Sequence, residues 1–260
     1  HDALPIYKGT FGHVFIVGGS RGMSGAPVLS ALGALRGGSG LVTVGVPVGI
    51  QGIVASAEPS YLTRGLPEDA DGRFSVSVRE VLGDELKKYD AIAIGPGWGQ
   101  SAALCELARW FYATCAVPLV IDADALNGLG GGPLPQRETK AARIITPHPG
   151  EFARLISVTT KKIQEEREGL AVKYSQDQGV VVLLKGKGTV VTDGNFLAIN
   201  TTGNSGMGTG GCGDVLTGLI ASLLGQGMDA FEAAYLGAHL HGMAGDLAAR
   251  ELSQPGMIAS

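Results

Sequence analysis

Gly203-Asn-Ser-Gly-Met-Gly-Thr-Gly-Gly-Cys-Gly-Asp214 sets six glycines and one carboxylate directly ahead of residues 215–224, an apolar segment that reads as a helix. Glycine lets backbone N–H groups turn toward a ligand with no Cβ in the way. A helix start adds unpaired donors and a partial positive charge. Together they predict a cradle for an anion, most simply a phosphate. Asp214 is the odd member, because a carboxylate repels phosphate. It fits there if it takes a proton from a nucleophile or carries a metal. The competing reading is a helix cap, a common use of Asp. The glycine density favours the chemical role.

Working back from this loop, six apolar runs end in turn or ligand-loop residues. Residues 14–17 end in Gly18-Gly-Ser-Arg-Gly22, after which Ser24 is placed to cap a helical pattern over 26–35. Residues 41–46 stop at Pro47, and 90–94 at Gly95-Pro-Gly-Trp-Gly99. Residues 118–121 stop at Asp122-Ala-Asp124, and 143–145 at Thr146-Pro-His-Pro-Gly150. Residues 180–184 stop at Lys185-Gly-Lys-Gly188. Helical patterns over 101–111, 151–156 and 161–176 lie between them. Continuous apolar strands alternating with helices predict a mostly parallel sheet covered on both faces. Ligands then sit beyond the carboxyl ends of the strands. Residues 190–192 and 196–199 flank Asp193-Gly194 and predict a small antiparallel hairpin. Helices over 215–224 and from 230 to about 250 close the chain. The polar stretch 67–73 reads as an exposed loop. No repeat or long linker divides residues 1–260, so one domain is expected.

Composition narrows the function. Apolar residues make up 45% and charged residues 17%, enough for a sizeable core. The 42 glycines are roughly twice the usual share and fall at the ends of apolar runs. A net charge of −4 argues against nucleic acid as partner. Cys105, Cys115 and Cys212 form no CxxC pair, which points to a reduced, cytoplasmic setting. No run has the length of a membrane span. The opening His1-Asp-Ala-Leu-Pro5 has no signal-peptide core, and with no initial Met the chain reads as a trimmed gene product or an excised domain.

Several chemistries are disfavoured. Gly208-Thr-Gly-Gly-Cys-Gly213 fits GxGxxG, but helix follows it rather than strand, against a Rossmann oxidoreductase. No GxxxxGK[ST] occurs. His239 and His241 are two apart on a helix, face different sides and read as ordinary helix residues rather than a metal pair.

Five elements occur in one order: Lys8-Gly-Thr-Phe-Gly12 with Val17-Gly-Gly19, Gly95-Pro-Gly97, Thr146-Pro-His-Pro-Gly-Glu151, Lys185-Gly-Lys-Gly-Thr189 and Gly210-Gly-Cys-Gly-Asp214. In that order they resemble the NAD(P)H-hydrate dehydratases of the ribokinase-like superfamily, across residues 8–249. The His-Pro-Gly-Glu and Gly-Gly-Cys-Gly-Asp-Val-Leu segments together make the resemblance specific. It implies a repair enzyme whose substrate is NADH or NADPH hydrated on the nicotinamide ring (NADHX, NADPHX). ADP or ATP would phosphorylate the 6-hydroxyl, phosphate would leave, and the dihydronicotinamide would be restored. Mg2+ is expected with the nucleotide. A homo-oligomer, such as a tetramer, and an epimerase domain or protein are the partners expected.

The same resemblance assigns residues. Asp214 would be the general base, a role its place beside free amides suits. The amides of Gly210, Gly211 and Gly213 would form an anion hole. Lys185, Gly186, Lys187, Gly188 and Thr189, with Gly213, would bind the AMP part of the nucleotide. Ala26, Gly97, His148 and Asp214 would contact the hydrated dinucleotide. Each has a plainer alternative: a solvated hairpin start for the lysines, a loop histidine bonded to backbone for His148, packing for Ala26 and Gly97. Glu151 can serve the helix dipole. Asn204 is a candidate phosphate or substrate contact. Asp122 and Asp124 could hold Mg2+ through water or shape a turn. Cys212 stands where many relatives have Thr or Ser, and a thiol is the weaker donor. The alternative functions are a ribokinase-like kinase for a vitamin-precursor alcohol and a non-catalytic nucleotide-binding module.

Overall fold

The apolar runs assemble into one sheet in a computed structural model that describes residues 7–260. The opening segment, read above for a signal peptide, lies outside the described residues up to residue 6. The strands are β1 (His13–Val17), β2 (Leu41–Pro47), β3 (Leu62–Leu66), β4 (Ala91–Ile94), β5 (Leu119–Ile121), β6 (Arg143–Ile145), β7 (Val181–Leu184), β8 (Thr189–Thr192) and β9 (Leu197–Asn200). Their spatial order is β3-β2-β1-β4-β5-β6-β7-β8-β9. From β3 to β7 all neighbours are parallel, while β8 and β9 add antiparallel.

Strand side chains alternate between two faces. Val14, Ile16, Ala91 and Ala93 point to one layer, and Phe15, Val17, Ile92 and Ile94 to the other. The first face carries helices α1 (Gly25–Arg36), α2 (Gln51–Ala57), α9 (Cys212–Gly225) and α10 (Ala230–Leu252). The second carries α3 (Val78–Leu82), α4 (Ala102–Thr114), α5 (Ala123–Leu129), α6 (Pro149–Leu155), α7 (Thr160–Glu165) and α8 (Arg167–Gln178). Trp98 is fully buried there and donates Nε1–H to the Val17 carbonyl at 2.8 Å. Helices α1 and α9 touch backbone to backbone. A Cβ on Gly218 would lie 1.7 Å from the Ser30 carbonyl oxygen, so no larger residue fits. That contact anchors α9 with its N-terminus at the carboxyl ends of the strands.

The structure departs from the sequence reading in places. Strand β3 escaped notice because it is a sheet edge, with Leu62 57% exposed and Arg64 and Gly65 interrupting the apolar run. Helices α2, α3 and α5 are 5 to 7 residues long, too short to impose a period. The pattern over 161–176 is two helices, broken at Glu166 (φ −128°, ψ 33°). Ser24 has helical torsions and its side chain caps nothing. The 67–73 stretch is tied down, because Asp69 accepts from the Asp71 and Arg73 amides and Arg73 Nε.

Candidate active site

The glycine loop ends in a left-handed turn. Gly211 precedes α9 with φ +92°, and a Cβ there would meet Leu29 Cδ1 at 2.5 Å. Among the described residues, no amide from 209 to 214 donates to a backbone carbonyl. These N–H groups lie at the positive end of a 14-residue helix and are open to an anion. Asp214 is the third residue of α9 and caps nothing, so the helix-cap reading is set aside.

The loop upstream is fastened to α10. Thr202 Oγ donates to the His239 carbonyl at 2.9 Å, and the Gly203 amide donates to Asp246 at 2.9 Å. Asn204 Nδ2 donates to the Gly245 carbonyl and to Asp246, while its oxygen accepts from the Gly206 amide. The Asn204 side chain is thus committed to holding the loop rather than turned to a ligand.

Beneath the loop lies a charged cluster drawn from strand ends and helices. Asp122, 1% exposed, follows β5 and accepts Lys185 Nζ at 2.7 Å and the Thr217 hydroxyl at 2.7 Å. Lys185 follows β7 and also lies 3.9 Å from Glu151 Oε2. Burial works against the lysine's charge, but Asp122 and Glu151 hold its pKa above the usual value. A Cβ on Gly213 would sit 3.4 Å from Lys185 Nζ and 3.7 Å from Asp122 Oδ2, so α9 starts directly over this pair. Burial, and then the charge of Asp122, push the Asp214 carboxyl up to about 7, with Lys185 partly offsetting them. Burial likewise raises Asp124, whose Oδ2 accepts the Gly99 amide at 2.8 Å.

A cavity of about 1220 Å³ opens beside the cluster, and Lys185, Gly186, Lys187, Gly188, Thr189, Gly213 and His148 all line it. His148 precedes α6 in a capping box: its Nδ1 accepts the Gly150 amide at 3.0 Å, and its own amide donates to Glu151 at 2.7 Å. Glu151 therefore closes the helix end as well as facing Lys185. Burial, then Lys185, lower the His148 pKa and keep the ring neutral near pH 7. Gly210 and Gly211 belong to the open-amide run but not to the cavity wall. Ala26 and Gly97 lie elsewhere, packed on each other: a Cβ on Gly97 would fall 2.9 Å from the Ala26 methyl.

Three residues were missed in the sequence. Thr217 shares a helix with Asp214 at i+3, a spacing that could have flagged it. His241 also lines the cavity and is pushed down to about 4 by burial and Lys185, although it had read as an ordinary helix histidine. Arg167 sits in a polar helix and carries no local signal.

Mg2+ prefers oxygen ligands and retains waters. Asp122 is taken by Lys185 and Thr217, and among the described residues no group of three His, Cys, Asp or Glu could hold a metal. The donor set fits Mg2+ only as an ion held chiefly by nucleotide phosphates. Among the described residues no helix is long and apolar enough to cross a membrane.

A carboxyl beside a run of open amides, at the carboxyl edge of a parallel sheet, is an arrangement suited to phosphoryl transfer to an alcohol. The chain belongs to the NAD(P)H-hydrate dehydratase family, whose model matches residues 14–260. It is 46% identical over 255 residues to the bifunctional NAD(P)H-hydrate repair enzyme of Moorella thermoacetica, covering 97% of this chain and 48% of that one. It is 39% identical over 246 residues to the ADP-dependent (S)-NAD(P)H-hydrate dehydratase of Neisseria meningitidis, covering 93% and 78%. The solved ADP/ATP-dependent NAD(P)H-hydrate dehydratase of Bacillus subtilis, co-crystallised with ATP/Mg2+, is similar at TM-score 0.83 and 30% identity, covering 100% and 88%. The architecture is ribokinase-like. The chain spans about half the length of its bifunctional relatives.

Proposed function

We propose that this chain removes water from the hydrated nicotinamide ring of NADHX and NADPHX, using ADP or ATP. Hydroxide is a poor leaving group, and a phosphate ester is a better one. Asp214 accepts the proton of the ring hydroxyl as that oxygen attacks the terminal phosphorus of the nucleotide. AMP or ADP leaves that phosphorus, and the phosphate then departs from C6 while the adjacent ring carbon loses a proton, so that the ring double bond re-forms. A base with a pKa near 7 is matched to work at neutral pH. The observation that carries the reading is the Asp214 carboxyl held in the first turn of α9, one residue beyond a glycine whose Cβ position lies 3.4 Å from Lys185 Nζ.

The amides of Gly210, Gly211 and Gly213 hold the transferring phosphoryl group, supported by their lack of backbone acceptors among the described residues. The turn from Lys185 to Thr189 takes the AMP part of the nucleotide, supported by its place on the cavity wall. Lys185 keeps Asp122 paired and holds the Asp214 pKa from climbing further. His148, as a neutral ring on the same wall, contacts the hydrated dinucleotide, and Ala26 and Gly97, which lie outside this cavity, would line a further part of the dinucleotide's pocket. Mg2+ bound with the nucleotide would neutralise phosphate charge. The proposal includes one domain, a cytoplasmic setting, a homo-oligomer such as a tetramer, and an epimerase domain or protein as partner.

The family match favours this over a vitamin-precursor kinase, and the perturbed Asp214 argues against a non-catalytic module. The test is incubation with hydrated NADH and ADP or ATP, following NADH absorbance. Recovery of NADH only when nucleotide is present is expected. Phosphorylation of a small alcohol with no NADH recovery would favour the kinase.

A further inference from the structure

Arg167 opens α8 directly under the turn that follows β7. Its Nη2 donates to the carbonyls of Leu184 at 3.0 Å, Lys185 at 3.2 Å and Gly188 at 3.4 Å. The guanidinium is half-buried, and among the described residues no carboxylate lies within 4.0 Å of it. Burial alone lowers its pKa. Its charge is met by carbonyl dipoles and solvent rather than by a counter-ion.

Peptide planarity says what the guanidinium organises. The N–H of each planar unit points opposite to its C=O. The Leu184, Lys185 and Gly188 carbonyls drawn down to Arg167 therefore aim the Lys185, Gly186 and Thr189 amides away from it. The Lys185 amide is used by the Pro147 carbonyl at 2.8 Å. Among the described residues, the Gly186 amide meets no protein acceptor, and Gly186 lines the cavity. The turn also sits tightly on the guanidinium. A Cβ on Gly186, where φ is +136°, would come 3.0 Å from Nη1 and 3.2 Å from Nη2.

We propose that Arg167 is a positioning residue for the nucleotide: its clasp on three carbonyls holds the 185–188 turn with the Gly186 amide presented to an anionic group in the cavity. This rests on the nucleotide binding there, as argued above. It separates nucleotide binding from recognition of the hydrated dinucleotide, because among the described residues the Arg167 side chain hydrogen-bonds to that turn alone.

The test is calorimetric binding of ADP and ATP to the intact chain, with KM for each substrate and the thermal midpoint, in Arg167→Met, Arg167→Lys and Gly186→Ala. Arg167→Met should weaken ADP binding about tenfold or more, since charged hydrogen bonds are lost together. The nucleotide KM should rise while the dinucleotide KM holds. Arg167→Lys keeps the charge on a shorter side chain that reaches the turn less well, and should lie between. Gly186→Ala should also weaken ADP, and less so when Arg167 is already Met. If Arg167→Met does not fold, the other two variants decide. Unchanged ADP affinity in folded Arg167→Lys and Gly186→Ala would overturn the inference, as would equal rises in both KM values. Failure of the unaltered chain to bind nucleotide would overturn the functional reading and this inference with it.

Discussion

Replacing Asp214 with Asn should abolish most turnover and make the protein more stable at neutral pH. The amide keeps the shape of the side chain and loses the base. Turnover should fall about 10²–10⁴-fold, the usual contribution of one general base. The stability gain follows from the carboxyl's raised pKa. Folded Asp214 holds its proton up to about pH 7, whereas the ordinary value is 3.8. Between those values the folded state binds more protons than the unfolded state, so stability falls as pH rises from about 4 to about 7. Every tenfold change in proton affinity on folding is worth about 1.4 kcal/mol, which sets a ceiling of about 4 kcal/mol. Partial exposure and the Lys185 charge reduce this to about 1–2 kcal/mol. For a chain of this size that is a rise of about 2–8 °C in Tm. Thermal unfolding of both proteins at about pH 4.5 and about pH 8, near the two ends of that window, would read it. The Asn variant should be the more stable at the higher pH, with the gap closing at the lower. A variant less stable than the parent at about pH 8, or one with intact turnover, would refute the reasoning.

Other outcomes follow from the same cluster. The pH profile of kcat/KM should be flat above about 7 and fall roughly tenfold per pH unit below it, as Asp214 takes up its proton. Lys185→Met leaves buried Asp122 with Thr217 alone and should destabilise the fold by about 3 kcal/mol. It should also move the acid limb of any remaining activity upward, because Lys185 lowers the Asp214 pKa; an unmoved limb would count against that coupling. Arg143 is fully buried and donates to the carbonyls of Tyr112, Ala141 and Cys115. Arg143→Met should cost about 2–4 kcal/mol in thermal unfolding by stranding those carbonyls, with ADP affinity unchanged.

The run of open amides ahead of α9 was legible because its cause is local. Glycines at 210, 211 and 213 ahead of an apolar helix can be recognised from spacing alone, and so can the carboxylate after them. The parallel sheet was legible for a similar reason, since strands buried on both faces need unbroken apolar runs. Asp122 was not. From sequence it looked equally suited to a turn or to Mg2+, and its pairing with Lys185 joins residues 63 positions apart. His148 combined two readings that had seemed exclusive, bonding backbone through Nδ1 while its ring lines the cavity. Asn204 looked free to meet a ligand until α10 came to lie against it.

Residue order by itself determined where chains of amides and a carboxylate fall relative to helix and strand, because those preferences act over a few neighbouring residues. The close approach of α1 to α9, the burial that lifts the Asp214 pKa, and the capture of three carbonyls by Arg167 were decided only on folding. Desolvation and charge coupling depend on what surrounds a group in space, and that is set by packing between elements distant along the chain.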